Sequence, residues 1–324
     1  MARILVTGGA GYIGSHTTHH LLRLGHDVTV ADDLSKGYRH NVPDGRLHVL
    51  SLHDRPALDA LFASAPFDAV IHFAAFIAVG ESVREAEKYF HNNVAGTLNL
   101  LAAMRQAGVR NIVFSSTAAV YGDPDSVPIP ETAHLRPVSP YGESKLMAET
   151  ALGWMDRCSG LRHIILRYFN ACGADAEAGT GEEHEPETHL IPLLFQAIRT
   201  GRPVTVFGGD YATPDGTCIR DYIHVSDLAS AHAAGLDHLL AGAASGIFNA
   251  GTGEGHSVRQ VIDAAERVTG AKVPWTLGAR RDGDPPELVA DSSKLRTQLG
   301  WTPAIPNLDD MIASAWAFES RRHG

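Results

Sequence analysis

The sequence predicts an α/β fold, in which a doubly wound parallel sheet is followed by a smaller α/β lobe. Apolar runs alternate with amphipathic helical stretches through the first half of the chain, a pattern typical of a parallel sheet with helices on both faces. A glycine-rich turn joins the first apolar run to the first helix. At 324 residues the chain is longer than one such sheet requires, which predicts the second lobe.

The first strand, turn and helix are predicted in the order that a dinucleotide site requires. Arg3–Thr7 is an apolar run typical of a buried strand, and glycines follow it at positions 8, 11 and 14. Such glycines let the backbone approach a pyrophosphate that lies on the helix N-terminus. A second strand, 27–31, leads to Asp32, whose carboxylate is placed to accept from the adenosine ribose and so favours NAD over NADP. These features predict a Rossmann-type cofactor lobe.

Later apolar runs extend the same alternation. Further strands are predicted at residues 69–73, 111–115 and 163–167, and helices at 92–106 and 141–155. Ligands of a parallel sheet bind at the carboxyl ends of its strands, and Thr117 lies at one such end.

The cofactor lobe is predicted to span 1–171 and the second lobe 172–324, with part of the chain returning to the first lobe. Residues 173–187 are acidic and glycine-rich, which predicts a loop that links the lobes and is a candidate cover over a ligand.

Tyr141 and Lys145 are the strongest candidates for chemistry. Ser139 can cap a helix N-terminus and Pro140 can occupy its first turn, so both candidates are predicted to open a helix. At a spacing of four they share one helix face, with the ammonium beside the phenol. An adjacent cation favours the phenolate, which can then take a proton from an alcohol near neutral pH. An isolated pair at this spacing is also compatible with a surface tyrosine beside a charge.

The composition excludes several classes of partner. The net charge is −10 without a run of lysine or arginine, which argues against nucleic acid and against an anionic membrane. The sequence shows neither a signal-peptide pattern nor an apolar stretch that could span a bilayer. Its three cysteines are unpatterned, which favours reduced thiols and a cytoplasmic location.

The eighteen histidines raise the question of a metal site. His16 and His20 share a helix face, and His184 lies among glutamates. Neither group has a third ligand at a recognisable spacing, so the sequence predicts no metal site and assigns these histidines to solvated polar faces.

With Thr117, the glycine turn and the tyrosine–lysine pair, the chain resembles the extended short-chain dehydrogenase/reductase family. The resemblance runs essentially from Arg3 to the C-terminus. The shared strings are residues 7–15, Val79-Gly-Glu-Ser82, Asn92-Asn-Val94, Val120-Tyr-Gly122, residues 139–147, Arg167-Tyr-Phe-Asn170, Arg220-Asp-Tyr-Ile-His-Val225 and Arg281-Asp-Gly-Asp284. Within the family they are similar to those of nucleotide-sugar 4-epimerases. This implies interconversion of UDP-galactose and UDP-glucose by transient oxidation at C4 of the hexose, with a tightly bound NAD that is regenerated in each cycle.

The resemblance also implies roles for individual residues. The catalytic residues would be Thr117, Tyr141 and Lys145. The cofactor would be held by Gly8, Gly11, Tyr12, Ile13, Gly14, Asp32, Asp33, Leu34, Ser35, Lys36, Gly37, Leu52, His53, Phe73, Ala74, Ala75, Asn92, Ser115, Tyr141, Lys145 and Phe169. The UDP-hexose would contact Thr117, Tyr141, Asn170, His189, Thr205, Phe207, Arg220, Arg281, Asp284 and Leu288. Guanidinium groups suit a diphosphate independently of the resemblance. The alternative for Arg220 and Arg281 is a surface ion pair with Asp221 or Asp282.

Several positions depart from the commonest pattern of the family. Thr117 replaces a serine and can make the same hydrogen bonds. Leu52 and His53 stand where an acidic residue near the adenine is usual, which leaves the recognition of adenine open. His189 replaces an asparagine that contacts UDP in some members. Leu288 stands where members restricted to glucose and galactose carry a tyrosine, so the smaller side chain predicts room for UDP-N-acetylhexosamines.

Three other functions are known on folds of this kind, and each makes its own demand on the residues. A nucleotide-sugar 4,6-dehydratase would carry an acidic pair directly after the threonine, where this chain has Ala118 and Ala119. A non-catalytic NAD-binding scaffold would usually have lost the tyrosine or the lysine. A dehydrogenase that releases NADH stays open, and so do the pentose substrates UDP-arabinose and UDP-xylose. The resemblance further implies a homodimer built on the helices at 92–106 and 141–155.

Overall fold

Residues 1–281 and 283–323 are described by the computed structural model of the chain. The strands are β1 (Arg3–Thr7), β2 (Asp27–Asp32), β3 (Leu47–Val49), β4 (Ala69–His72), β5 (Asn111–Thr117), β6 (Arg162–Tyr168), β7 (Asn170–Cys172), β8 (Val204–Phe207), β9 (Ile219–His224), β10 (Gly246–Ala250), β11 (Gly255–Ser257), β12 (Trp275–Gly278) and β13 (Glu287–Leu288).

The helices alternate with these strands. They are α1 (Tyr12–Arg23), α2 (Arg55–Ser64), α3 (Val79–Arg84), α4 (Ala86–Tyr89), α5 (Gly96–Ala107), α6 (Pro140–Ser159), α7 (Leu190–Thr200), α8 (Val225–Leu240), α9 (Val258–Thr269), α10 (Ser293–Leu299) and α11 (Leu308–His323). Short 3₁₀ turns occupy Arg39–Asn41 and Ala118–Val120, and a π-helical turn occupies Phe90–Ala95. Within the described residues, no helix combines the length and the apolar character needed to cross a membrane.

A seven-stranded sheet in the order β10–β6–β5–β4–β1–β2–β3 forms the first lobe. Each neighbouring pair in this sheet is parallel. The strand order reverses between β1 and β4, and their carboxyl ends flank the crevice in which such sheets bind ligands. The predicted doubly wound sheet is therefore confirmed.

The sheet is buried on both faces because alternate residues of its strands point to opposite sides. Ile4 and Val6 of β1 pack in a cluster with Leu21 of α1 and Leu228 of α8. Leu5 belongs to a second cluster, which includes side chains of α2, α5 and α6. These two helix layers fix the strand ends, and with them the residues that follow each strand.

The second lobe is built around β9. This strand pairs in parallel with β7 and β13 and antiparallel with β11, while β8 and β12 form a separate pair. Leu194, Val261 and Ile312, from α7, α9 and α11, are buried in its core. β10 lies inside the predicted second lobe, yet it pairs with β6 of the first sheet. The division at 171/172 itself stays a prediction.

The helix predicted at 92–106 differs from the structure at its start. Residues Phe90–Ala95 form a wider π-helical turn, and α5 begins only at Gly96. In this turn the Asn93 side chain accepts from the backbone N–H of Phe76 at 2.9 Å and donates to its carbonyl at 3.0 Å. It also donates to Ser144 of α6 at 3.0 Å. Widened turns of this kind are frequent at functional sites, and this one joins α6 to the segment after β4.

Candidate active site

The turn after β1 is shaped by glycines that tolerate no side chain. Gly8 has a φ of +74°, and a Cβ there would lie 2.4 Å from the backbone nitrogen of Ala74. A Cβ on Gly14 would lie 2.2 Å from the carbonyl oxygen of Gly8. The turn therefore packs directly on the start of α1 and on the segment that follows β4, as a dinucleotide-binding turn must.

The N-terminus of α1 is suited to an anion. Gly11 is its N-cap in an extended conformation and contributes no side chain to the first turn. The first backbone N–H groups of a helix lack intrahelical partners and carry the positive end of its dipole. The described residues at this turn therefore fit the pyrophosphate of a dinucleotide.

Asp32 ties the end of β2 to the glycine turn. Its carboxylate accepts from the backbone N–H of Ala10 at 2.9 Å and of Leu34 at 2.8 Å. Burial raises the pKa of this carboxyl group, and the two backbone N–H groups act in the opposite direction. Each oxygen retains a further acceptor site for a ribose hydroxyl. Leu34 has a left-handed φ of 60°, which turns the chain sharply after Asp32.

The other predicted residues of this loop surround the same turn. Asp33 accepts from the backbone N–H of Ser35 at 2.9 Å. Gly37 approaches the turn so closely that a Cβ there would lie 2.7 Å from the carbonyl carbon of Ala10. Lys36 reaches across to the carbonyl oxygen of Glu185 at 3.2 Å.

His53, which departs from the family pattern, carries an orphaned polar atom. Its ring stacks on that of His91 with centroids 4.2 Å apart and an interplanar angle of 6°. Its Nε2 is buried without a hydrogen-bond partner among the described residues. Burial, assisted by His91, lowers the pKa of His53, so the ring is neutral near pH 7. In the tautomer protonated at Nδ1, Nε2 is an acceptor, which fits the amine of an adenine.

Tyr141, Lys145 and Thr117 lie at the carboxyl end of β5. Ser139 caps α6 by accepting from the backbone N–H of Gly142 at 3.2 Å, which confirms the predicted helix start. Tyr141 and Lys145 are 8% and 3% exposed, so the alternative of a surface tyrosine beside a charge is wrong. Thr117 is the last residue of β5 and is equally buried.

Burial dominates the electrostatics of Tyr141 and Lys145. Lys145 donates to the carbonyl oxygen of Ser115 at 2.8 Å. Burial lowers the pKa of Lys145 to about 7, although Glu149 opposes this shift. Burial also raises the pKa of Tyr141 to about 12, and the Thr117 hydroxyl offsets this only in part. Loss of hydration therefore dominates the pKa of both groups, and the expectation that Lys145 favours the phenolate stays a prediction.

A buried ion pair next to the candidate site was not predicted from the sequence. Arg167 of β6 binds Glu149 of α6 through Nε at 3.0 Å and Nη2 at 2.6 Å. The two residues are 2% and 5% exposed. Ser116, directly before Thr117, donates to the same carboxylate. The spacing of Tyr141, Lys145 and Glu149 at i, i+4 and i+8 is the signal that could have indicated Glu149.

Arg220 and Asp284, two predicted substrate residues, contact each other. Arg220 binds the Asp284 carboxylate and the carbonyl oxygen of Pro285, the latter at 2.9 Å. Asp221 is fully buried and accepts from Thr252 and Ala290 instead, so it is not the partner of Arg220.

The other predicted residues of this face lie near the same lobe surface. The guanidinium of Arg281 lies 4.1 Å from the ring centre of Phe207, while Asp282, its alternative partner, lies outside the described residues. Thr205 is on the same exposed face of β8 as Phe207.

Leu288 and Phe169 belong to one apolar cluster beside the candidate site. Both are partly buried and pack on a group that includes Ala118 and Tyr121. Asn170 follows Phe169 and opens β7, opposite Tyr222 of β9. The cluster thus joins the end of β6 to the lobe that contains the predicted substrate residues.

The segment 182–189 brings together four candidate metal ligands, although the sequence showed His184 only as a histidine among glutamates. Glu182, His184, Glu187 and His189 each place one ligand atom within 4.8 Å of the others. Burial lowers the pKa of His189, but Glu182 and Glu187 outweigh it and raise the pKa to about 10. The sequence offered no third ligand at a recognisable spacing, because the loop conformation and not the spacing brings these side chains together.

His16 also differs from its predicted solvated position. Its ring is almost fully buried, with Nδ1 2.8 Å from the carbonyl oxygen of Tyr12. Nε2 accepts from the backbone N–H of Asp175 at 3.2 Å. Burial lowers the pKa of His16 to about 4. Together with the bond from the Tyr12 hydroxyl to the carbonyl of Gly173 at 2.6 Å, it fastens the predicted covering loop to α1.

Comparison with known proteins places this geometry in a family. The model of the NAD dependent epimerase/dehydratase family matches residues 4–251. A UDP-glucose 4-epimerase of Streptococcus mutans is 49% identical over 321 residues, which cover 98% of this chain and 96% of that protein. The crystal structure of UDP-glucose 4-epimerase from Brucella ovis in complex with NAD has a TM-score of 0.95 at 44% identity and covers 98% of both chains. The UDP-Glc/GlcNAc 4-epimerase from Campylobacter jejuni has a TM-score of 0.87 at 41% identity, covering 99% of this chain and 100% of that one. The chain belongs to the NAD dependent epimerase/dehydratase family.

Proposed function

We propose that this protein is an NAD-dependent UDP-glucose 4-epimerase, which interconverts UDP-galactose and UDP-glucose through transient oxidation at C4. The observation that carries the proposal is the buried set of Tyr141, Lys145 and Thr117 at the carboxyl end of β5, in the same crevice as the glycine turn. The Streptococcus mutans and Brucella ovis relatives bear the same activity in their names, and the latter was crystallised with NAD.

Proton transfer is the task of the chain's own residues. The Tyr141 phenolate takes the proton of the C4 hydroxyl and returns it to the same oxygen after the 4-keto sugar has turned over. Thr117 hydrogen-bonds this oxygen and fixes its position. NAD, held by the glycine turn and Asp32, would supply the acceptor and donor for the C4 hydride, and its positive ring would favour the phenolate. Lys145, held by the carbonyl of Ser115, acts on the phenol in the same direction.

The UDP group anchors the sugar while the ketone rotates. Arg220 and Arg281 provide guanidinium groups on the second lobe, where a diphosphate needs positive charge. Binding energy from this non-reacting part of the substrate keeps the ketone from leaving. Ala118 and Ala119 follow Thr117 directly and provide neither an acid nor a base, which argues against dehydration across C5 and C6.

The test of this proposal uses purified protein, UDP-galactose and no added cofactor. We expect chromatography to show UDP-glucose without net formation of NADH. A dehydrogenase would instead accumulate NADH and an oxidised sugar. Absence of NAD from the protein, even after it is supplied, would contradict the proposal.

Replacement of Lys145 by Met tests the role of the cation. In the loaded enzyme its loss should raise the pKa of the Tyr141 phenol. Because the base acts in its deprotonated form, turnover rises as the pH passes this pKa, so the rising limb of the pH profile should move to higher pH by about one unit or more. The profile of kcat checks this. The variant Lys272→Met removes an exposed lysine far from the site and should leave the limb in place; an equal profile in both variants would contradict the role.

Leu288 is proposed to admit UDP-N-acetylhexosamines as second substrates, and the Campylobacter jejuni relative is described as a UDP-Glc/GlcNAc enzyme. We expect Leu288→Tyr to lower kcat/KM for UDP-GalNAc about tenfold or more relative to UDP-galactose, since overpacking of a filled site costs roughly 1–3 kcal/mol. The exposed Leu277→Tyr is the matched control. No turnover of UDP-GalNAc by the unmodified enzyme would refute the proposal.

A homodimer through α5 and α6 is also proposed. Leu98 of α5 and Met147 and Trp154 of α6 are exposed, the last by 58%. Met147 and Trp154 are seven residues apart and therefore share a helix face. We expect Trp154→Asp to shift the mass measured by analytical ultracentrifugation from dimer to monomer. A monomeric parent protein would contradict this interface.

The proposed location is the cytoplasm. All three cysteines are free, and Cys172 and Cys218 are buried. Reduced thiols are the expected state in that compartment.

A further inference from the structure

Four side chains of the segment before α7 converge on one point. His189 Nδ1 lies 2.8 Å from Glu182 Oε1 and 3.2 Å from Glu187 Oε1. His184 Nδ1 lies 3.2 Å from Glu182 Oε1 and 3.8 Å from Glu187 Oε2. Ligands of a tetrahedral zinc ion, bound at about 2.0–2.2 Å, are separated by roughly 3.3 Å. The four His–Glu separations lie around this value, and all four ligand atoms lie within 4.8 Å of one another.

One ligand atom of this cluster is buried without a hydrogen bond. Although His184 Nδ1 lies 3.2 Å from the Glu182 carboxylate, it makes no hydrogen bond in the described residues. His189 Nδ1 shares a hydrogen bond with Glu187 Oε1 at 3.2 Å. His184 Nδ1 faces both carboxylates without such a bond, which leaves this nitrogen available as a metal ligand. Imidazole and carboxylate together suit a divalent transition metal rather than Mg²⁺ or Ca²⁺, which prefer oxygen ligands alone.

The surroundings hold the ligands in place. Glu187 Oε1 accepts from the backbone N–H groups of Thr188 at 2.6 Å and His189 at 2.8 Å, which fixes the carboxylate. The ring of Tyr12 at the start of α1 meets that of His184 edge-on, with centroids 6.3 Å apart. Supporting contacts of this kind orient metal ligands in proteins.

We propose that Glu182, His184, Glu187 and His189 form a binding site for a divalent transition-metal ion of the Zn²⁺ type. The ion balances the charge of two half-buried carboxylates, Glu182 and Glu187. It also crosslinks the loop that begins at Gly173 to His189, the N-cap residue of α7. Glu182, His184 and Glu187 lie outside the residues assigned to catalysis, cofactor and substrate, whereas His189 is shared with the predicted UDP-hexose contacts. The proposal does not depend on the proposed epimerase function.

Metal binding itself is the test, measured without an activity assay. Tag-free protein is stripped with a chelator and titrated with Zn²⁺ by calorimetry, and Co²⁺ is added in parallel to follow its visible absorption. We expect one equivalent to bind per chain, and Co²⁺ to give the intense visible bands of a four-coordinate site. Mg²⁺ should not compete.

Two ligand variants and one matched control assign the site. Glu182→Gln and His184→Gln should each weaken the binding of Zn²⁺ about 100-fold or more. Replacement of a residue that only supports a metal ligand typically weakens binding by about 10–100-fold. His134→Gln removes an exposed histidine that lies 3.0 Å from a single carboxylate of Asp125, and it should change nothing. If one ligand variant fails to fold, the other carries the test. Equal affinities in all three proteins, or no stoichiometric binding in the parent, would show that the cluster is an ion-pair network only and overturn the proposal.

Discussion

Replacement of Tyr141 by Phe should lower epimerase turnover by about 10³-fold or more while leaving NAD bound. General acid–base groups typically contribute 10²–10⁴-fold, and this phenol is proposed to serve in both half-reactions. The aromatic ring is retained in a buried position, so packing and the cofactor crevice should be preserved. Turnover of UDP-galactose and the NAD content of the purified variant are the two measurements.

A second buried tyrosine provides the control. It distinguishes the loss of the proposed catalytic base from the general effect of removing a buried hydroxyl group. Tyr222 of β9 is as buried as Tyr141, at 6% exposure against 8%, and belongs to the core of the second lobe. We expect Tyr222→Phe to retain turnover within a few-fold of the parent. If Tyr141→Phe also kept turnover within about tenfold, another group would have to accept the C4 proton.

The cofactor turn could be predicted from the sequence because its determinants are local. Gly8, Gly14 and Asp32 lie within one strand–helix–strand unit, and the apolar runs around them have the length and burial pattern of strands. Each of these residues acts together with its neighbours in the chain, so a sequence pattern is enough to predict its role. The start of α6 was predictable for the same reason, since Ser139 and Pro140 define it.

The electrostatics of the site were not predictable, because burial is a tertiary property. The sequence shows Lys145 near Tyr141 but not that both lose their hydration, and this loss governs the pKa of each group. The cluster of Glu182 and His184 could not be predicted from the sequence for a related reason. Its spacing matches no repeated motif, and only the path of the loop brings the ligand atoms together.

The largest loss of stability is expected from Arg167→Met. Arg167 also donates to the hydroxyl of Tyr121 at 3.0 Å, and Tyr121 donates to Asn249 of β10 at 2.7 Å. Methionine fills much of the same space but leaves the buried Glu149 carboxylate without its cation. Removal of one partner of a buried pair costs about 3–5 kcal/mol. The free energy of unfolding in urea, measured with saturating NAD for parent and variant, checks this value.

An exposed pair of the same geometry provides the control. Arg267 binds Asp309 through two nitrogens, at 2.7 and 3.1 Å, but the two side chains are 59% and 41% exposed. Because water solvates a surface carboxylate that loses its partner, Arg267→Met should cost no more than about 1 kcal/mol. Similar losses in the two variants would mean that burial does not determine the strength of the Arg167 pair.

The double variant Arg167→Met/Glu149→Met distinguishes the cost of an orphaned charge from the strength of the pair itself. If the penalty of Arg167→Met arises from the unpaired carboxylate, removal of Glu149 as well should recover most of the lost stability. Turnover need not recover with it, since Ser116 would lose its acceptor beside Thr117. A double variant that is stable but slow would show that the ion pair serves to position the end of β5 more than to hold the fold together.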